Sequence, residues 1–332
     1  MNIDLEQDDS EHDLMPAKEQ FKAQALKPGA KVGLIAPSSR PDSPLVLRRC
    51  IQIVEEMGFK PVPGSSVLRY SGFTAGTDEQ RIDDIHTFLQ DSSIEAMLCV
   101  SGGYGAARLL PLLDFAQIRR NPKIVLGGAD NDALLLAINK LTGLVVFHGQ
   151  NLDEVEDEHS FNSIKNLLSG AEREIRINCR DIGDAPYQAA AYSLCDEVKE
   201  GVVCGGNLTA LSSLFGTRYQ PCFEDKILVL DDFSERNDIL DRWFTTLYLS
   251  GVLADVAGIA FGAFPNCASR GSNNMLAIED TFGDRLKELG TAACFSFKFG
   301  RAKHDNVLPI GVRAALDCGN GTLQMLETHL SG

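Results

Sequence analysis

Between residues 31 and 147, short apolar runs alternate with longer stretches of helical period, and this alternation most constrains the fold. Lys31-Val32-Gly33-Leu34-Ile35-Ala36-Pro37 reads as a buried strand closed by Pro37-Ser38-Ser39. Residues 44–58 follow with apolar side chains at Leu45, Val46, Ile51, Ile53, Val54 and Met57 and a stop at Gly58, the pattern of an amphipathic helix. A helix over 78–91, a strand over 96–100, a Gly-rich turn and a helix around 105–113 come next. A strand over 124–126, a helix over 131–141 and a strand over 144–147 complete the series. Strands this short, buried on both faces and separated by helices, predict a largely parallel sheet covered by helices.

The pattern then changes. Residues 153–158 are charged, 160–169 reads as a short helix, and 171–197 is irregular and polar. Beyond Val198, strands are expected at 227–230 and 256–262 and helices at 238–250 and 276–289. Strands follow within 306–328 about a Gly319-Asn320-Gly321 turn. The expected organisation is an acidic flexible arm over 1–28 with a short helix near 17–26, an N-terminal α/β domain over 29–165, a crossover over 166–197 and a C-terminal domain over 198–330. With 332 residues, 44% of them hydrophobic, the chain can build a core in each domain.

Charge narrows the partners. The net charge is −15, and residues 1–20 alone hold seven acids against Lys18. A chain this acidic offers no electrostatic footprint to phosphate backbones, so neither nucleic acid nor an anionic membrane is an expected partner. There is no apolar run of about 18 residues and no secretion-signal pattern, which places the chain in the cytoplasm. The nine cysteines include no CxxC pair and read as reduced thiols. No HExxH, EF-hand, dinucleotide fingerprint or Walker loop is present, so no metal and no cofactor is expected.

Five segments, in order, resemble the LD-carboxypeptidases of murein recycling and their relatives that confer microcin C self-immunity. They are Gly33-Leu34-Ile35-Ala36-Pro37-Ser38-Ser39; Ser101-Gly102-Gly103-Tyr104-Gly105, where the family usually has Arg-Gly-Gly-Tyr-Gly; Leu126-Gly127-Gly128-Ala129-Asp130 through Phe147-His148-Gly149; Gly205-Gly206-Asn207-Leu208 with Phe215-Gly216-Thr217, Leu230-Asp231-Asp232 and Asp241-Arg242; and Leu308-Pro309-Ile310-Gly311. The resemblance covers roughly residues 29–317. It implies an N-terminal parallel-sheet α/β domain, a smaller β-rich, barrel-like C-terminal domain and an active site in the cleft between them. It also implies removal of a terminal D-alanine from murein tetrapeptides by Ser, Glu and His, and a homodimer.

The same resemblance sets three expectations about chemistry. The nucleophile's turn, normally Gly-Tyr/Phe-Ser-Asp, here reads Gly127-Gly128-Ala129-Asp130, and a methyl group cannot attack a carbonyl. The glutamate is Asp231, shorter by one methylene or about 1.5 Å. The histidine, about eight residues before the family's Leu-Pro-Leu-Gly proline, falls on Arg301, which stays protonated and cannot serve as a base.

The remaining residues leave several readings open. Ser101, Gly102, Gly103, Tyr104, His148 and Asn207 are candidates for an oxyanion or ligand-binding wall, while turn or packing roles stand beside these. Asp130, Asp232 and His304 are candidate acid/base groups, and Asp130 with Asp231 could form a carboxylate pair of the kind used on sugars. Against this, Asp130 could cap the helix at 131–141, Asp232 could order a loop, and Arg301 could pair with Asp231. Trp243 is expected in the core. Three functions follow: a muropeptide-binding protein without the serine triad, an enzyme with carboxylate chemistry on murein glycan or peptide, and a residual LD-carboxypeptidase acting through Ser38 or Ser101 with His304.

Overall fold

The computed structural model describes residue 17 and residues 19–179, 193–267, 278–301 and 304–331. The first half contains β1 (Lys31–Ile35), α1 (Pro44–Glu56), β2 (Lys60–Pro63), α2 (Asp78–Gln90), β3 (Ile94–Cys99), α3 (Phe115–Arg120), β4 (Ile124–Gly127), α4 (Asp132–Thr142), β5 (Val146–His148) and α5 (Glu158–Leu168). Helix starts follow local chemistry. The Ser43 hydroxyl accepts the Val46 N–H ahead of α1, with Pro44 at its first position. Thr77 and Gln80 form a reciprocal capping box at α2.

The second half contains β6 (Arg176–Asn178), β7 (Val198–Asn207), α6 (Leu208–Ser212), β8 (Lys226–Asp231), α7 (Asn237–Leu249), α8 (Val252–Asp255), β9 (Gly258–Phe261), α9 (Ile278–Leu289), β10 (Ala293–Cys294), β11 (Leu308–Ile310), β12 (Arg313–Asp317) and β13 (Thr322–Met325).

Two mixed sheets result, one in each half of the α/β fold. The first has the order β11-β5-β4-β3-β1-β2. Its five N-terminal strands are parallel, β1 and β3 to β5 as the sequence predicts and β2 in addition, but β11 arrives from beyond residue 300 and pairs antiparallel with β5, Leu308 opposite His148. The second has the order β10-β9-β8-β7-β12-β13-β6. It curls until its edges meet: Cys294 Sγ, on edge strand β10, lies 3.8 Å from Cys179 Sγ, just beyond β6 at the other edge. The expected barrel-like character of the C-terminal half has this origin.

The terminal segment departs from expectation. No helix forms over the described part of residues 17–26. Phe21 bridges Leu144 and Gln24 bridges Ser331, with Ala23 and Leu26 buried. The segment is therefore packed chain, not solvated arm, while residues 1–16 of the expected arm lie outside the described residues. Likewise, the stretch expected to be an irregular crossover supplies β6. The helix expected around 105–113 is a 3-10 turn over Ala106–Leu112, because it starts from Gly105 at φ +115° and contains Pro111. Trp243 lies partly buried against the core.

Helix α4 decides where the two halves meet. Its sequence, DALLLAINKLT, is apolar nearly all round, and it packs against β4 and β5 on one side and α6 and β7 on the other. Its first residue, Asp132, is thereby carried to the ends of β5, β7 and β8.

Candidate active site

Strand β4 ends in Gly127-Gly128, and the chain enters α4 through Ala129. A Cβ on Gly127 would stand 2.7 Å from Cys99 Sγ, and one on Gly128 would strike the Gly149 carbonyl. Glycine is thus required by close approach of β3 and the loop after β5. Ala129 has φ +56°, a left-handed conformation that costs an L-residue about 1–2 kcal/mol. Strained strand-to-helix turns of this shape present a side chain at the end of a sheet. Here that side chain is a methyl group facing Gly102, where an added Cβ would come within 3.2 Å of it.

The surroundings of the turn are held by buried amides. Asn131 Nδ2 donates to Ser101 O at 3.0 Å and to Asn151 Oδ1 at 2.9 Å, and Gly128 N donates to the same Asn151 oxygen at 3.2 Å. Ser38 Oγ lies 2.6 Å from Asp130 Oδ2 and 2.8 Å from Asn131 Oδ1. Asp130 also accepts the Ala106 N–H at 2.8 Å. Asp130 therefore caps the 3-10 turn across the site, and the expected cap on α4 is not made. Burial raises its carboxyl above the usual range, against these bonds and the nearby Arg81 guanidinium.

The Gly-rich turn packs on Ser39. Ser101 Oγ donates to Ser39 O at 2.7 Å, Ser39 N donates to Gly102 O at 3.0 Å, and Tyr104 N donates to Ser39 Oγ at 3.2 Å. Gly103, at φ +110°, leaves room for the Ser39 side chain. The Tyr104 ring is exposed and meets Phe73 edge-on at 6.2 Å. Together with Asp78 and Arg108 these two rings line a cavity of about 350 Å³.

A second polar cluster joins the two halves. His148, at the end of β5, places Nδ1 2.9 and 3.0 Å from the two Asp132 carboxylate oxygens. Asp132 Oδ2 also accepts the Asn207 N–H at 2.7 Å. On the other side of the ring, His148 Nε2 lies 3.6 Å from Asp231 Oδ1, at the end of β8. Burial opposes a charge on His148, but Asp132 and Asp231 outweigh it and hold the imidazole up in its protonated form. Burial pushes the Asp231 carboxyl up, with Asp132 and Asp232 adding to the rise and His148 opposing it. Asp305 is buried beside them, and burial raises its carboxyl well above the usual range.

Asn207 and Asp232 serve the start of α6. Asn207 Oδ1 accepts the Ala210 N–H at 2.9 Å. Asp232 accepts from Thr209 N, Thr209 Oγ1 and Phe233 N at 3.0, 2.8 and 2.7 Å. Ordering of a local loop by Asp232, one of its two readings, is thus what its hydrogen bonds do.

Arg301 follows Gly300, whose φ of +88° lets the chain pass against Asp231. Its backbone thus stands beside Asp231, yet its side chain turns away. The guanidinium lies 3.8 Å over the Phe233 ring and is ion-paired with Glu154, so the expected Arg301–Asp231 pair is not formed. Glu154 in turn accepts the Asn151 N–H at 3.0 Å, which connects Arg301 to the turn at Ala129 through Asn151. His304 is exposed and approaches Asp157 at 3.3 Å, apart from the Asp132–His148–Asp231 cluster.

Sequence reasoning assigned no role to Glu154, Phe233, Asn131, Asn151 or Asp305. Only Asn151-Leu152-Asp153-Glu154 carried a signal, the spacing of a capping box, which the structure forms.

Two family models match the chain: an LD-carboxypeptidase N-terminal domain over residues 32–149 and an LD-carboxypeptidase C-terminal domain over residues 200–316. A protein of Bacillus subtilis (strain 168) named a probable murein peptide carboxypeptidase is 33% identical over 308 residues, covering 91% of this chain and 93% of its own. Among solved structures, the microcin C7 self-immunity protein MccF in complex with aspartyl sulfamoyl adenosine has a TM-score of 0.83 at 24% identity, covering 94% of this chain and 100% of its own. The muramoyltetrapeptide carboxypeptidase from Oxalobacter formigenes has a TM-score of 0.72 at 24% identity, covering 89% and 97%. No helix among the described residues is long and apolar enough to cross a membrane.

Proposed function

We propose that this chain, which belongs to the LD-carboxypeptidase family, binds a muropeptide-type ligand beside its Gly-rich turn and does not cut it by the family's serine mechanism. The observation that carries this reading is Ala129: the strained turn between β4 and α4 is intact, and it presents a methyl group. The residue beside Asp231 at the base position is an arginine already engaged by Glu154 and Phe233, and an arginine cannot accept a proton near neutral pH. The nearby serines offer no substitute. Ser38 is buried against Asp130 and Asn131, and Ser101 donates to a backbone carbonyl. The substrate class comes from the relatives, named for murein peptides and for microcin immunity. The exposed Tyr104 and Phe73 rings, beside the Arg108–Asp78 ion pair, supply an aromatic wall for a peptide ligand.

A second reading has one observation in its favour. Asp231 Oδ1 is buried without a hydrogen-bond partner, and its carboxyl is pushed up by burial, the state of a general acid. Carboxylate chemistry on murein would then run through Asp231, since Asp130 is taken up by Ser38 and Ala106.

Incubation with intact sacculi and with soluble muropeptides, every product read by mass spectrometry, separates these readings. Saturable binding without products supports the first. Release of alanine alone overturns it, and a glycan cut abolished by Asp231→Asn establishes the second.

A further inference from the structure

The cluster between the two halves has an atomic arrangement that hydrogen bonding leaves incomplete. His148 Nε2 and Asp231 Oδ1 are both buried, both without a hydrogen-bond partner, and 3.6 Å apart. That gap is too long for a hydrogen bond. It is close to the edge of a coordination polyhedron with metal–ligand bonds of about 2.1 Å, which is about 3.4 Å for a tetrahedron. The ring's other nitrogen is fixed by Asp132, the carboxylate–histidine arrangement that sets tautomer and orientation in metal sites. One ligating atom from each of Asp132, His148 and Asp231 lies within 4.8 Å of the others.

We propose that His148 Nε2 and Asp231 Oδ1 bind a divalent transition-metal ion, which displaces the Nε2 proton to solvent as it binds, with Asp132 orienting the histidine. Imidazole and carboxylate donors select an ion of the zinc, manganese or iron(II) class. Charge argues the same way. Asp132, Asp231 and Asp305 are buried around one imidazole, more carboxyl groups than its single charge can balance. Arg301 is committed to Glu154. Asp305 adds a third buried oxygen, Oδ1, without a partner. Glycine lets both carboxylates reach the cluster: a Cβ on Gly206 would stand 2.7 Å from Asp132 Oδ2, and one on Gly300 would strike Asp231. Both glycines have positive φ, at +143° and +88°. The inference is independent of what ligand enters the cleft.

The test uses the full chain, stripped with a chelator and dialysed against Mn²⁺ or Zn²⁺. Mn²⁺ is included because it disfavours thiolates, which keeps the buried cysteines from confounding the count. One equivalent bound, a raised unfolding midpoint, and an affinity lowered about tenfold or more by Asp231→Asn are expected. Should Asp231→Asn not fold, paramagnetic broadening of the His148 ring signals by Mn²⁺ in the unmodified protein decides. Unbroadened His148 signals, or binding of both ions unaffected by a folded Asp231→Asn, overturn the proposal.

Discussion

The Asp132 carboxylate accepts the backbone N–H of Asn207 at 2.7 Å, and this bond ties the first turn of α4 to the end of β7. The same carboxylate holds His148 Nδ1. One buried side chain therefore connects the strand end of one sheet to the strand end of the other.

Removing that carboxylate leaves a buried N–H and a buried imidazole without their acceptor. Asp132→Ala is expected to lower unfolding free energy by about 3–5 kcal/mol, and Asp132→Asn by less, because an amide oxygen still accepts one bond. Urea denaturation measures both. A loss below about 1 kcal/mol for the alanine variant, the size of an ordinary surface substitution, contradicts this role.

A hydroxyl at residue 129 is not expected by itself to make the chain a peptidase. Ala129→Ser is expected to fold and to release no D-alanine from muropeptides, because no base stands ready to take the proton and Arg301 remains tied to Glu154. Product analysis by mass spectrometry reads the result. Turnover by this single variant contradicts the assignment of the base position to Arg301.

Arg301, Glu154 and Phe233 act as a unit. A double-mutant cycle with Arg301→Gln and Glu154→Gln is expected to give a coupling energy of about 1–3 kcal/mol, because Glu154 is largely buried and holds Asn151. Arg301→Lys is expected to recover only part, since an ammonium loses the flat stacking on Phe233. Additive single effects would remove the unit.

Asp153 makes stability depend on pH. Burial pushes its carboxyl up from 3.8 to about 7, with Glu154 and Asp42 adding repulsion and Arg301 opposing them. The Cys50 thiol feels the same charge. A carboxyl that holds its proton more tightly folded than unfolded favours folding at acid pH. Stability from this group is present near pH 4 and falls as pH rises through about 7, then levels off. Unfolding midpoints between pH 4 and 8 should show the decline in the unmodified protein, and Asp153→Asn should reduce it, the raised Asp130, Asp231 and Asp305 carboxyls keeping the rest. An unchanged profile in the variant assigns the dependence to another group.

The local geometry of the turn was legible because it is written in adjacent residues. Gly127-Gly128-Ala129 between an apolar run and a helix can be read without knowing what lies opposite. The resemblance to the LD-carboxypeptidases implied that Arg301 stands beside Asp231, and its backbone is there. Its partner could not be read. Side-chain direction depends on Phe233 and Glu154, which come from two other segments, and on the left-handed conformation at Arg301 itself. Asp130 shows the same limit. Its position ahead of α4 suggested a cap on that helix, but its carboxylate accepts the Ala106 N–H from the 3-10 turn, a contact set by tertiary packing.

By itself the sequence determined the parallel strands β1 and β3 to β5, helices that cover them, and that the side chain at residue 129 is a methyl group. These follow from hydrophobic period and residue identity over a few neighbours. Only the tertiary structure decided that β11 would close the first sheet antiparallel to β5, and that Asp132, His148 and Asp231 would converge with two polar atoms unmet. The physical reason is sequence separation: a contact between residues on different strands is fixed by how α4 packs between the two sheets, and no local propensity encodes that packing.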